Sequence, residues 1–299
     1  MIKIATAPVS WGIWEMTIDQ PDLIGPETYL ETIVDMGYTA TETGPPGYFA
    51  PSGAAAVEKA GRYGVELIAT FLPLRLDDPV GFEEDLKALD RTVEVLEATG
   101  GGIVLLADME TPERAAAAGS AERRRATGWD AETVKRAGER MLHAAEIVRS
   151  RSLDVALHPH AATHVESEEE TEAFLEHTPG LGLCIDTGHT AVGGGDPVAL
   201  ALRHLDRIRH LHLKDVDGGV LARLAAGEFD MDEAWRQGIF CEFGQGVVPL
   251  ARFLASPELR ALDVWAVIEQ DRVAVTADDI AVIRAADEHN RARVESWLA

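Results

Sequence analysis

Residues 155–166, VALHPHAATHVE, place three histidines, His158, His160 and His164, within seven positions directly behind an apolar run. Similar endings recur along the chain. CIDTGH (184–189) ends in Asp186 and His189, HLHLKD (210–215) carries His210, His212, Lys214 and Asp215, and IEQD (268–271) carries Glu269 and Asp271. Nearer the N-terminus, Trp11, Glu42 and Asp108 also follow short apolar runs. Taken singly, a strand-end aspartate is a turn or N-cap residue. Together, imidazoles and carboxylates from four neighbouring strands form an inventory for one divalent ion with open positions for substrate. Mixed nitrogen and oxygen donors suit Mn²⁺ or Co²⁺ first, then Zn²⁺ or Fe²⁺, with Mg²⁺ a poorer match.

The elements that would position these groups follow from periodicity. Nearly continuous apolar runs at 3–11, 38–43, 65–74, 102–108, 154–160, 181–189, 208–215 and 265–271 read as parallel strands buried on both faces. Amphipathic helical stretches lie between them, among them 81–100, 131–150 and a last helix over 277–298. Ser52, Asp130, Ser167 and Thr276 stand as N-caps, and Gly37, Gly64 and Gly100 follow helices as C′ residues. The stretch 115–128 reads as an extended loop. Eight strands alternating with helices over 299 residues predict α/β architecture, a single (β/α)8 TIM barrel spanning 1–299. A doubly wound sheet is the alternative, but no glycine-rich dinucleotide fingerprint follows the first strand.

In such a barrel the C-terminal strand ends build the site, so the polar endings above converge on one mouth. His158 and His160 share one side of their strand and both compete for the ion, while His164 reads as a surface or polar contact. His210 is expected to face the helices or solvent; the alternative is a place one layer beneath His212, whose strand face it shares by parity.

Composition bounds the function. The chain is 46% hydrophobic and 26% charged, normal for a soluble protein, and its formal charge of −24 disfavours a nucleic-acid partner. No apolar run approaches the ~20 residues needed to cross a bilayer, and MIKIATAPVSWG lacks the pattern of a signal peptide. Cys184 and Cys241 form no C-x-x-C pair, so a reducing cytoplasm is the expected setting.

CIDTGH, HLHLKD and the VIEQD of 267–271 resemble the xylose-isomerase-like barrel superfamily of sugar isomerases and epimerases, inosose dehydratases and type IV apurinic endonucleases. APVSWG (7–12), ATETGPPGYF (40–49), LHPHAATHVE (157–166) and FGQG (243–246) are most similar to the inosose (2-keto-myo-inositol) dehydratase branch, so the likeness runs nearly the whole chain. The resemblance implies Asp186, His212 and Glu269 as metal ligands. Epimerases of the group usually close the set with a glutamate on the fifth strand, where this chain has His158. His158 is therefore the fourth expected ligand, and one of the two bases an epimerase uses is missing.

The implied reaction is metal-dependent loss of water from a cyclic polyol ketone in inositol catabolism, with a sugar or inosose isomerase or epimerase as the alternative. A non-catalytic sugar-binding barrel is the reading from another class. Glu269, His189 and Lys214 are the candidates for proton transfer and enolate stabilisation, in roles the sequence does not separate. Trp11, Glu42, His160 and Glu166 are the candidates for gripping the polyol, with Glu166 equally readable as a helix-start carboxylate and Trp11 as core. Glu242 has no assigned role. Self-association into a dimer or tetramer is expected from the resemblance alone.

Overall fold

The computed structural model describes residues 2–14, 17–18, 20, 22–273 and 276–299. Its strands are β1 (Lys3–Thr6), β2 (Ala40–Thr41), β3 (Glu66–Leu67), β4 (Ala69–Leu74), β5 (Ile103–Asp108), β6 (Asp154–Leu157), β7 (Gly182–Asp186), β8 (Ile208–Leu213), β9 (Asp215–Val216), β10 (Phe240–Cys241) and β11 (Trp265–Ile268). Among the described residues, the main sheet runs β3-β2-β1-β11-β8-β7-β6-β5-β4, and its paired strands are parallel. The two ends of that order, β3 and β4, are one stretch of chain interrupted at Ile68. Ile68 N–H donates to Thr41 O at 3.0 Å, and its own carbonyl accepts from Ile103 N–H at 3.1 Å. The sheet therefore closes on itself as an eight-segment barrel with helices outside.

Strand alternation explains the interior. Ala5, Ala7, Ala40, Ala69, Leu105, Ala156, Cys184 and Val267 form one compact apolar cluster. Continuing in steps of two, Ala40 leads to Glu42, Ala69 to Phe71, Ala156 to His158, Cys184 to Asp186, and Val267 to Glu269. Small side chains fill the narrow lower barrel, and the polar groups stack above them. The opposite strand faces, with Leu106, Leu157, Leu183, Leu211 and Ile268, join the larger cluster shared with the helices.

Helix boundaries follow local chemistry. Ser52 and Asp130 cap their helices by accepting from Ala55 N–H and Thr133 N–H, and Ser167 forms a full capping box with Glu170. Gly37, Gly64 and Gly100 hold φ of 86°, 71° and 81°, the left-handed region glycine tolerates. Two readings are corrected. The stretch 115–128 is mostly helical, in Pro112–Ala117 and Ala121–Thr127, capped by Thr111 and Ser120. Thr276 does not cap the last helix; its N–H and Oγ1 donate to Asp279 Oδ2 ahead of a 3₁₀ turn, and the helix spans Ile280–Leu298. Strands are also shorter than the apolar runs: the first passes into a 3₁₀ turn at Pro8–Trp11, and the sixth ends where Thr187–Val192 begins.

The C-terminal helix is fastened to the barrel through a buried carboxyl. Asp287 accepts from Tyr38 Oη at 2.7 Å and Thr6 Oγ1 at 3.4 Å, and burial pushes it up to about 6. The folded chain thus keeps a proton that the unfolded chain has lost, and the associated stability disappears as pH rises through about 6. Asp287→Asn removes this dependence. Urea unfolding at pH 4.5 and 7.5 is expected to show the variant gaining ~1–3 kcal/mol on the wild type between the two conditions; parallel pH curves would mean that Asp287 titrates normally.

Candidate metal centre and active-site cavity

Asp186 shows how the fold assembles the site. It is the last residue of β7 and the N-cap of Thr187–Val192, with Oδ1 accepting from His189 N–H at 2.8 Å. That leaves Oδ2 to face the barrel axis. Gly188 allows the helix to lie this close to β8: a Cβ there would meet Lys214 Cβ at 2.5 Å and the Phe240 ring at 2.8 Å. From β8, His210 and His212 point inward, and Lys214 follows one step beyond.

Four side chains put donor atoms around one point. His212 Nδ1 lies 2.9 Å from His158 Nε2, 3.1 Å from Glu269 Oε2 and 3.5 Å from Asp186 Oδ2. His158 Nε2 is 3.8 Å from Asp186 Oδ2. The outer nitrogen of His158, Nδ1, is 3.0 Å from the Pro159 carbonyl, which can only accept, so Nε2 carries the lone pair. Two carboxylate oxygens and an imidazole lone pair thus meet the inner nitrogen of His212, a donor set that could hold a divalent ion. Cys184 lies beneath them, but burial pushes its thiol up to about 12, so it stays a neutral core group.

The surrounding charges are buried and densely paired. Lys214 Nζ is 2.8 Å from Asp186 Oδ2, 2.7 Å from Glu269 Oε2 and 3.3 Å from Asp271 Oδ1. Burial alone would lower the Lys214 pKa, but Asp186, Asp271 and Glu269 raise it well above the usual value. Burial likewise opposes the charge of Asp186, yet Lys214 and the histidines hold it well below the usual carboxylate range. Glu269 goes the other way: burial pushes it up to about 7 despite His212 and Lys214. Desolvation also raises Asp271.

His189 is buried beside Lys214, with Nε2 3.3 Å from Nζ. The Ala161 N–H donates to its Nδ1 at 3.3 Å, so both ring nitrogens face donors, the amide on one side and the Lys214 ammonium on the other. Burial lowers its basicity strongly. His160 is drawn away from the donor cluster: its Nδ1 lies 3.1 Å from Glu110 Oε1, and its ring packs on that of His189 at 3.7 Å. Of the two histidines in LHPH, the structure brings His158 to the cluster and leaves His160 on the cavity wall.

The cavity above these groups has a volume of about 420 Å³. Its polar floor includes Glu42, His158, His212, Lys214, Glu269 and Asp271, and its walls include Pro8, Trp14, Phe71 and Pro73. Trp14, packed edge-on against Trp235 at 5.8 Å, supplies the aromatic wall. Trp11 does not; it is fully buried against Tyr29 in the core. The two tryptophans of WGIW stand three positions apart across a 3₁₀ turn, and a strand reading extended to residue 11 hides which of them faces inward.

Other residues serve the scaffold. Glu166 lies outside the cavity lining: Oε1 accepts from Arg124 at 3.0 Å and Gly119 N–H at 3.3 Å, and Oε2 from Ala162 N–H at 2.8 Å. It pins the loop in which Ala162 adopts a left-handed φ of 64°. His164 donates its backbone N–H to Asp108 Oδ2 at 2.9 Å and stacks on Trp129. Asp215 accepts from Gly244, Gly246 and Val248 N–H groups, tying the FGQG loop to β9. Glu242 accepts from Gln245 on the periphery. His210, expected outside the barrel, is inside it, one layer below His212 as the parity alternative required, and 2.8 Å from Glu42 Oε1.

The xylose isomerase-like TIM barrel family matches residues 30–286. The chain belongs to this family. Within the xylose isomerase-like group it is similar to an inosose dehydratase of Geobacillus kaustophilus, 29% identical over 307 aligned positions that cover 99% of this chain and 96% of the relative. It is also similar to the rhizopine catabolism protein MocC of Rhizobium meliloti, 30% identical, with 91% and 82% of the two chains covered. Among solved structures, the zinc-bound IolI protein superposes with a TM-score of 0.72 at 13% identity over 99% and 98% of the chains. An L-ribulose 3-epimerase gives 0.66 at 16% identity, with 100% and 95% covered. At these identities the superpositions show a common fold.

Gly188 provides a direct test of how this xylose isomerase-like barrel sets its site. Gly188→Ala is expected to displace the Lys214 stem and Phe240, costing ~1–3 kcal/mol of stability from overpacking. Activity measured well below the melting temperature should fall more than stability explains. Full activity in a folded variant would show that the helix has slack to retreat.

Proposed function

We propose that the chain is a divalent-metal-dependent dehydratase acting on a cyclic polyol ketone such as 2-keto-myo-inositol. The observation that carries this reading is His158. An imidazole stands where a two-base epimerase keeps a carboxylate, and both of its nitrogens are committed, one to the Pro159 carbonyl and one to the donor cluster. Relatives named inosose dehydratase, similar over nearly the full chain, support it.

His158, Asp186, His212 and Glu269 would hold the ion, which supplies Lewis acidity at a substrate carbonyl. The remaining chemistry belongs to the chain. Glu269, at the cavity floor beside Lys214, is placed to accept the proton on the carbon next to the carbonyl. Lys214 Nζ stands beside it as a charged donor for the enolate oxygen that develops. His189, with Nδ1 facing the Ala161 N–H and Nε2 facing the Lys214 ammonium, packs beside the reacting groups with both nitrogens engaged. His160, oriented by Glu110, lines the cavity and suits a hydrogen bond to the departing hydroxyl. The C–H and C–O bonds break, a C=C bond forms, and one water leaves. Trp14, Phe71 and Pro73 give the apolar walls against which a polyol ring stacks its C–H face. A soluble cytoplasmic enzyme is the setting this chemistry fits.

The deciding assay uses protein stripped with EDTA and refilled with Mn²⁺ or Co²⁺, with 2-keto-myo-inositol as substrate. Metal-dependent loss of one water, followed by ultraviolet absorbance and mass, is the expected result. Isomerisation without mass change would replace the dehydratase reading with the epimerase one. Glu269→Gln should cost about 10²–10⁴-fold in turnover. Free Mn²⁺ or Co²⁺ a hundredfold above its Kd should also add ~2.7 kcal/mol of stability, and an unchanged thermal midpoint would favour a barrel that binds sugar without metal.

A further inference from the structure

Glu42 is expected from sequence to hold substrate hydroxyls, yet its geometry serves another purpose. It projects from the end of β2, which is separated from β8 by β1 and β11 in the sheet order. Its Oε1 nevertheless lies 2.8 Å from His210 Nε2 and 2.8 Å from His212 Nε2. Glu42, His210 and His212 are all at least nine-tenths buried. One carboxylate oxygen therefore receives two imidazole N–H groups at the buried base of the cavity.

This arrangement decides which nitrogen of His212 is available. A carboxylate accepts and a ring N–H donates, so Nε2 of His212 is held protonated, and the proton on Nδ1, which meets only acceptors, is the one an entering ion would displace. Nδ1 is the atom that faces His158 Nε2, Glu269 Oε2 and Asp186 Oδ2. His210 completes the device from below. Its Nε2 donates to the same oxygen while its Nδ1 is buried with no hydrogen-bond partner among the described residues. An unsatisfied buried nitrogen costs stability. It persists here on a ring whose other nitrogen anchors Glu42.

We propose that Glu42, held by His210, is a positioning residue that locks His212 with Nε2 protonated and Nδ1 offered to the metal, and that it does not grip substrate. The inference rests on the reading that the donor cluster holds a divalent ion. It assigns Glu42 and His210 to the ligand's support, the kind of outer partner whose loss typically costs about 10–100-fold in metal affinity.

Two measurements test it. In wild-type protein loaded with Zn²⁺, long-range ¹⁵N–¹H spectra of labelled histidines should show His212 protonated at Nε2 and metal-bound through Nδ1. Binding of Zn²⁺ with His212 attached through Nε2 would overturn the lock while leaving the metal reading intact. Wild-type protein that binds no Zn²⁺ would overturn both. In the second measurement, Glu42→Leu removes the acceptor and Glu42→Gln keeps an uncharged one. Co²⁺ titrations followed by absorbance should weaken in the order wild type, Glu42→Gln, Glu42→Leu, with the loss reaching about 10–100-fold. At saturating metal, KM for the polyol ketone should stay within about twofold for Glu42→Gln, as expected for a residue outside the uniform binding of substrate. Unchanged Co²⁺ affinity with a raised KM would instead make Glu42 a substrate contact.

Discussion

A dehydrated ammonium among carboxylates is the constraint on which this barrel's interior turns. Lys214 is buried, and an unpaired charge there would be prohibitively costly. Asp186, Glu269 and Asp271 make the burial tolerable, but they overshoot. Three carboxylates face the lysine, and a fourth, Glu42, is buried against His212 nearby. The excess must be met by protons or by a cation. Without an ion, part of it is met at His212, whose basicity burial lowers but the surrounding acidic groups, Cys184, Glu269 and Glu42 among them, raise well above its usual value. Glu269 takes up the rest by holding its proton up to about 7. A divalent ion among the same atoms would relieve both demands at once, which ties ion uptake to proton release.

The fold meets that constraint with simple devices. Strand alternation stacks the polar layer above a layer of alanines, so the site's height in the barrel follows from register alone. Asp186 belongs to a strand and a helix together, which couples its carboxylate to the backbone through the His189 amide. Glu166 and Arg124 clamp the loop behind His158 and His160, and Asp215 gathers three amides of the FGQG loop. Few of these groups touch the cavity. They hold in place those that do, so the site's precision is spread over residues with no chemical part in the reaction.

Much of this was legible in the sequence. Eight buried apolar runs with polar endings imply a barrel whose polar endings meet at one mouth, because strand order is one-dimensional information, and the family resemblance singles out Asp186, His212 and Glu269 among them. Choices that depend on contacts across the barrel were not legible. His158 and His160 have the same parity, and Glu110 and the His189 ring, distant in sequence, separate them. Glu42 reads as a free carboxylate until His210 and His212, 168 and 170 residues away, are seen to share one of its oxygens. Trp11 and Trp14 exchange roles because the first strand gives way to a 3₁₀ turn at Pro8. The helices over Pro112–Thr127 were hidden by an alanine- and arginine-rich stretch whose apolar stripe is short, although Thr111 and Ser120 were in place as caps.

Proton capacity separates elimination from epimerisation in this framework. Inverting a carbon centre requires one group to take a proton from one face and another to return it to the opposite face of the same carbon. His158 has no nitrogen left for that exchange, and both nitrogens of His189 face donors, the Ala161 amide and the Lys214 ammonium. Glu269 therefore remains as the acceptor closest to Lys214. His160 retains a cavity-facing position, but it is fastened through Nδ1 to Glu110 and lies apart from the donor cluster. A proton donor displaced from the acceptor is poorly placed to serve the same carbon and well placed to serve an oxygen further along the ring. Replacing a strand-end carboxylate by imidazole thus does more than adjust the ion's charge. In the proposed reaction it removes a proton carrier from the reacting carbon, and loss of water needs no second one there.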